Sequence, residues 1–175
     1  MLTTARLLLR PPTLDDVETL QALNEAHWPL IGNRRRTLEE MRAQTEELMV
    51  KTAADSGWSE LVVEHDGRVI GRIAINRDGP GERQAELGYG FFADSFGQGL
   101  GPEAVGRVLT HLFGDMGLHR VIAITGMENN RSRRLLEKLG FRLEGEMIEA
   151  WFHQAEQRFV DEVSYAILAR EWRDR

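Results

Sequence analysis

The sequence predicts an α/β fold: one mixed, mostly antiparallel twisted sheet flanked by helices. Three observations predict it. Two β-rich runs flank Asp66-Gly67, a strong short hairpin signal. A strand, a glycine-rich loop and a helix with a clear apolar stripe follow one another between residues 83 and 125, the pattern of a parallel crossover. Between these, strands and helices alternate in the order β-α-α-β-β-β-α-β-α-β-β, with no repeat, linker or low-complexity tract. The 175 residues suit a single domain, 1–175, with one sizeable core.

The elements are read in order. "RLLLRP" (6–11) is a short strand ended by Pro11 and Pro12. "TLDDVETLQALN" (13–24) is a helix capped by Thr13, with Asp15 and Asp16 at its positive end. "WPLIGNRRR" reads as loop. "TLEEMRAQTEELMVKTAAD" (37–55) is a second helix, in which Thr37 and Glu40 form a capping box. Strands on either side of Asp66-Gly67 come next, then "RQAELGYGFF" (83–92). The helix at 102–116 places Ala104, Val105, Val108, Leu109, Leu112, Phe113 and Met116 on one stripe. "HRVIAITGM" is a buried-type strand. "NNRSRRLLEKLG" is a short helix closed by Gly140. "FRLEGEMIEAWFHQ" and "RFVDEVSYAILAREW" are closing strands, the second ending in a polar tail. Its apolar run suits a sheet edge that pairs with a second copy, which makes a homodimer an expectation.

Composition narrows the function. The chain has no cysteine, which removes disulfides, thiolate nucleophiles and thiolate metal sites, and fits a reducing cytoplasm. The five histidines show no metal-binding spacing, so no metal is expected. No apolar run is long enough to span a bilayer, and "MLTTARLLLRPP" lacks the basic region of a secretion signal, so no membrane partner is expected. A net charge of −6 disfavours nucleic acid as a partner and suits a cationic one such as an amine.

The most informative stretch is "DSFGQGLGPEAVGRVLTHLFGDMG" (94–117). Three alternating glycines open onto a helix N-terminus, where backbone N–H groups and the helix dipole attract an anion. Pro102 fits the first turn, where its missing N–H costs nothing, and Glu103 is expected to point away from an anion. A Walker A loop requires a lysine that is absent here. Gly99-Leu-Gly101-Pro-Glu-Ala104 matches a dinucleotide fingerprint as a string, but no buried strand runs directly into it and "VIAIT" offers no carboxylate for a ribose. A tight packing turn is the remaining alternative.

The ordered set "AELGYGFF … FGQGLGPEA … HRVIA … ENNRSRRLLEKLGF" resembles the GCN5-related N-acetyltransferase (GNAT) family. It looks most like the branch that acetylates ribosomal-protein N-termini, and the similarity covers nearly the whole chain. The resemblance implies that Gly97, Gln98, Gly99, Leu100 and Gly101 bind the pyrophosphate of acetyl-CoA through backbone amides. The family often has Arg or Gln where this chain has Phe96. The resemblance also implies a bulged strand at Gly88 and Gly90 that splays from its neighbour, with the pantetheine arm filling the gap. Phe91 and Phe92 match the residues whose backbone binds that arm, and core packing is the other reading of Phe91. Asn129 and Ser132 match an Asn-x-x-Ser motif beside the cofactor's thiol end, and Asn129 also suits a helix cap. Arg131, Arg133 and Arg134 form either a solvated face or a contact with the adenosine 3′-phosphate.

The reaction so implied is acetyl transfer from a thioester to a primary amine: a protein N-terminus, a polyamine, an aminoglycoside or another small amine. Alkyl amines titrate near a pKa of about 10.4, so a proton must be removed before attack. Without cysteine or a serine elbow, direct attack in a ternary complex is expected. Glu86 is the candidate base, through water; a plain strand carboxylate is its alternative. The tyrosine that many relatives use as the acid is missing from "LLEKLGF", and Ser132 is the nearest replacement. The oxyanion donor is expected to be a backbone N–H between Leu87 and Tyr89. Trp28 and Trp58 lie in segments that form the acceptor side, where an aromatic face could meet a cationic amine or simply cap the core. A non-catalytic acetyl-CoA-binding sensor or interaction module is the alternative function, and turnover separates the two.

Overall fold

The computed structural model describes residues 1–31, 34–53, 58–77 and 83–173, and the side chains of residues 30, 31, 53 and 58 lie outside that description. Among the described residues eight strands form one sheet: β1 (Leu2–Thr3), β2 (Leu7–Arg10), β3 (Trp58–His65), β4 (Arg68–Asn76), β5 (Gln84–Phe91), β6 (Arg120–Gly126), β7 (Arg142–His153) and β8 (Arg158–Leu168). Their spatial order is β1-β2-β3-β4-β5-β6-β8-β7. Every pairing is antiparallel except β5 with β6, as the single crossover predicted. Asp66 and Gly67 turn β3 into β4 with φ of 51° and 74°, both left-handed, as a two-residue hairpin requires.

Helices lie on both faces. On one face, α1 (Val17–Ile31) and α2 (Leu38–Ala53) pack Val17, Leu20 and Met41 on Val62 and Val69 of β3 and β4. On the other face, α3 (Leu100–Thr110) and α4 (Asn130–Lys138) cover the main core. There α3 buries Ala104, Val105, Val108 and Leu109 against Ile73, Leu87, Val121 and Tyr165. These α3 side chains are fully buried, so truncating Leu109 to Ala would cost about 2–5 kcal/mol. The expected stripe continues past α3 into a widened π turn, His111–Asp115, which buries Leu112 and Phe113. Among the described residues no helix is long and apolar enough to cross a membrane.

Three expectations are corrected. The segment read as loop from Trp28 begins as helix, because α1 runs on to Ile31 with Pro29 inside it. Tertiary contacts hold that last turn: His27 Nε2 donates to the Phe91 carbonyl at 3.0 Å, and the Arg35 guanidinium stacks on Trp28 at 4.0 Å from the ring centre. The apolar C-terminal strand is not an edge. β8 is enclosed between β6 and β7, and the longer but mostly exposed β7 takes the edge. The polar tail after it forms a short helix, α5 (Ala169–Arg173). It is held by Glu171, which accepts the Leu168 N–H and pairs with Arg142.

Candidate active site

The parallel ladder between β5 and β6 is short. It pairs Gln84 with Arg120, Ala85 with Val121 and Glu86 with Ile122, then stops. Beyond Glu86, β5 stays on β4 without a register shift as far as Gly71 and Phe91. The bulge expected at Gly88 and Gly90 is therefore absent. The gap opens because β6 leaves to follow β8, with which it stays paired through Gly126.

The register identifies the backbone groups that face the gap. Phe92 N–H donates to the Ile70 carbonyl at 2.9 Å, so residues 86, 88 and 90 turn to β4 and Leu87, Tyr89 and Phe91 turn the other way. The last rung with Ile122 uses the Leu87 N–H. The Leu87 carbonyl, both Tyr89 groups and the Phe91 N–H are left to the gap. Phe91 thus keeps a donor there, while its carbonyl accepts from His27. Phe92 does not: its N–H is on Ile70, and its carbonyl accepts both the N–H and the hydroxyl of Ser95, at 3.1 and 2.6 Å.

The glycine loop lies at one end of this gap. Gly97 and Gly99 have φ of 77° and 76°, a conformation that costs an L side chain about 1–2 kcal/mol. Gly99 is the N-cap of α3 with no side-chain cap. The N–H groups from Gly97 to Gly101 have no acceptor among the described residues. The loop is tied down from outside. Arg6 Nη1 donates to the Gln98 carbonyl at 3.0 Å and Arg6 Nε to Glu103 at 2.8 Å, and the Thr4 hydroxyl donates to Glu103 at 2.5 Å. The Glu103 carboxylate is thus taken up by Thr4 and Arg6. Those hydrogen bonds, first from Thr4 and then from Arg6, hold its carboxyl below the ordinary range. The Gln98 side-chain amide donates to the Asp94 carbonyl at 2.7 Å.

The helix α4 lies along the same loop. A Cβ on Gly101 would sit 3.1 Å from Leu135. One turn earlier on that face, the Arg131 guanidinium stacks 3.9 Å from the centre of the Phe96 ring. A cation thus stands beside the loop although the loop's own sequence carries none. Arg133 is engaged elsewhere, donating to the Tyr165 hydroxyl and the Met127 carbonyl. Asn129 caps α4 by accepting the Ser132 N–H at 3.2 Å.

The two faces of the gap differ chemically. On the α4 side, the Tyr89 hydroxyl lies 2.9 Å from Ser132 Oγ and 3.3 Å from the Ser132 carbonyl. Burial pushes the Tyr89 phenol up to about 12. The opposite face carries Glu86 and Gly88 on β5 and Ile124 on β6, all exposed. A side chain at Gly88 or Gly126 would meet no atom within 4 Å, so the floor there is open. Glu162 on β8 sits opposite Gly126. Burial first, and then the charge of Glu86, raises its carboxyl above the ordinary range.

Trp28 is half-buried under Arg35, so one ring face already carries a cation. Trp58 starts β3 in the same cross-sheet row as Asn76 and Glu86, and its side chain lies outside the described residues. The side chains of Tyr89, His27, Arg6 and Glu162 were not among those the sequence pointed to. Tyr89 had a visible signal, a lone aromatic between two strand glycines. The others act across long separations in the chain.

The residues 6–142 match the model of the acetyltransferase (GNAT) domain family. The chain is 29% identical to YdaF of Bacillus subtilis (strain 168), named for ribosomal N-acetylation, over 119 residues, which are 68% of this chain and 64% of YdaF. It superposes on a GNAT-family acetyltransferase from Bacillus anthracis with a TM-score of 0.82 and 28% identity, covering 97% of this chain and 99% of that one. Mycobacterium smegmatis RimJ, solved in complex with CoA-disulfide, gives a TM-score of 0.81 at 25% identity, covering 94% of this chain and 83% of that one. With the splayed strands and the glycine loop in place, the chain belongs to the GNAT family of N-acetyltransferases.

Proposed function

We propose that the protein transfers the acetyl group of acetyl-CoA to a primary amine by direct attack in a ternary complex. The observation that carries this reading is the early end of the β5–β6 ladder at Glu86 and Ile122, next to the unpartnered amides of Gly97 to Gly101. The nest suits a pyrophosphate, and the gap suits an extended amide-bearing arm. Leu87, Tyr89 and Phe91 offer it backbone donors and acceptors.

On this reading the thioester lies where the two strands part. The amine approaches over the open floor at Gly88 and Gly126, where Glu86 takes its proton, directly or through water. Nitrogen bonds to the carbonyl carbon, the C–S bond breaks, and its electron pair leaves with sulfur. The Tyr89 N–H is the backbone donor placed for the oxyanion, because the Leu87 N–H is used in the ladder. A cationic acceptor fits the carboxylates on this face: a protein N-terminus, a polyamine, an aminoglycoside or another small amine. A cytoplasmic location fits that substrate pool.

Calorimetry with acetyl-CoA, comparing wild type with Gly99→Glu, tests the reading, followed by CoA release with spermidine, a short peptide with a free α-amino group and an aminoglycoside. Micromolar binding lost in Gly99→Glu, with turnover of one amine, is the expected result. Binding without turnover of any amine points to a sensor module instead, and a folded wild type that does not bind overturns the assignment.

A further inference from the structure

Resting on that acetyl-transfer reading, we propose that Tyr89 is the positioning residue for Ser132. It donates its phenolic hydrogen to the serine, so that the single Ser132 hydroxyl proton is presented to the sulfur of the departing CoA thiolate.

A serine hydroxyl has one proton and two acceptor lone pairs, and the rotor is free unless a neighbour fixes it. At Ser132 the neighbour is the Tyr89 hydroxyl, 2.9 Å from Oγ. The same phenol lies 3.3 Å from the Ser132 carbonyl, which can only accept. The phenol has a single proton, and of these two acceptors only Oγ lies within the ordinary O–H···O range, so that proton is assigned to Oγ. Once the phenol donates, Ser132 Oγ is filled on one side and its own proton must point elsewhere. The Ser132 backbone is fixed too, since its N–H is held by Asn129 at 3.2 Å.

Tyr89 is well placed for this. It is carried by β5 at the point where β6 has departed, and its ring packs 6.2 Å from that of Phe91. The phenol, pushed up to about 12 by burial, keeps its proton throughout the working range. A thiol titrates near 8.5, so Tyr89 is a weaker acid than the group it would have to protonate. It therefore works as a permanent hydrogen-bond donor, not as a proton source. The thiolate leaves with the C–S electron pair, stabilised by the Ser132 O–H, and takes its proton from water. The amine's proton goes to the carboxylate side of the gap. The pair, Tyr89 on β5 and Ser132 on α4, stabilises the departing thiolate without giving up a proton, so it does not take over the acid role of the missing α4 tyrosine.

Kinetics of Tyr89→Phe, Ser132→Ala and the double variant test this, using CoA release with the panel amine that turns over fastest and acetyl-CoA calorimetry. Tyr89→Phe is expected to lower kcat roughly tenfold, the size of one hydrogen bond felt in the transition state, with acetyl-CoA affinity unchanged. In the Ser132→Ala background the same change is expected to do nothing more, because its effect passes through the serine. An undiminished loss in that background, or wild-type kcat in Tyr89→Phe, overturns the proposal while leaving acetyl transfer intact. If Tyr89→Phe does not fold, Ser132→Ala decides: a wild-type kcat there leaves nothing for Tyr89 to position. A folded wild type that fails to bind acetyl-CoA overturns both readings.

Discussion

The charge of Glu86 on β5 reaches Glu162 on β8 across β6: burial, and then that charge, lifts the Glu162 carboxyl above its ordinary range. The residue opposite Glu162 on the intervening strand is Gly126. A carboxyl raised in the folded state contributes stability below its unfolded pKa, near 4.3, and that contribution is lost as pH rises through the folded value. Glu162→Gln is therefore expected to melt higher than wild type at pH 7–8, with the gain vanishing below about pH 4. Thermal melts across pH check this, and equal melting of the two proteins at pH 8 refutes it.

The opposite sign holds for His27. Burial, followed by the charge of Arg72, depresses its imidazole, although its bond to the Phe91 carbonyl works the other way. The unfolded chain then binds a proton that the native state does not. Stability falls as pH drops from about 6.5 towards the lower folded value. The difference in melting temperature between wild type and His27→Gln should change across that interval and stay level above pH 7.5.

Gly90 is small because His27 lies over it. A Cβ at Gly90 would overlap the imidazole ring, and overpacking of this kind costs about 1–3 kcal/mol. Gly90→Ala should destabilise the protein by that amount in urea unfolding. In a His27→Ala background the same change should cost far less, and additive losses would show that the clash is not the cause.

Arg131 is expected to serve the glycine loop from α4. Replacing it with alanine should raise KM for acetyl-CoA several-fold, by about 1 kcal/mol of charge-assisted contact, with kcat unchanged. The effect should shrink as salt rises. A KM that does not move places Arg131 on a solvated face.

Arg6 supports the loop from the other side through Gln98 and Glu103. Arg6→Ala leaves the amides of Gly97 to Gly101 in place but frees the Gln98 carbonyl. Acetyl-CoA affinity should fall about threefold, the low end of a net hydrogen bond, and hydrogen exchange at residues 97–101 should quicken. Unaltered exchange would show that the loop holds itself.

By itself the sequence determined what depends on near neighbours in the chain. The Asp66-Gly67 hairpin, the amphipathic stripe of α3, the caps at Thr37 and Asn129 and the anion-attracting glycines are local: each rests on backbone conformation or on residues within a turn or two. The order of strands and helices from β2 to β8 followed from the same signals, while the two-residue β1 and the short α5 did not. Tertiary structure decided the rest. The helix continues past Trp28 with Pro29 inside it, where His27 and Trp28 have partners on Phe91 and Arg35. The gap beside Glu86 came from β6 turning to β8, not from a bulge at Gly88 and Gly90. Phe92 lost its expected role because Ile70 and Ser95 consume its backbone groups. Tyr89 met Ser132 because α4 packs over the sheet, and the charge of Glu86 reaches Glu162 because a sheet sets side by side strands that lie far apart in the chain. Hydrogen bonds and charges act over a few ångströms of space, and sequence spacing alone does not report those distances.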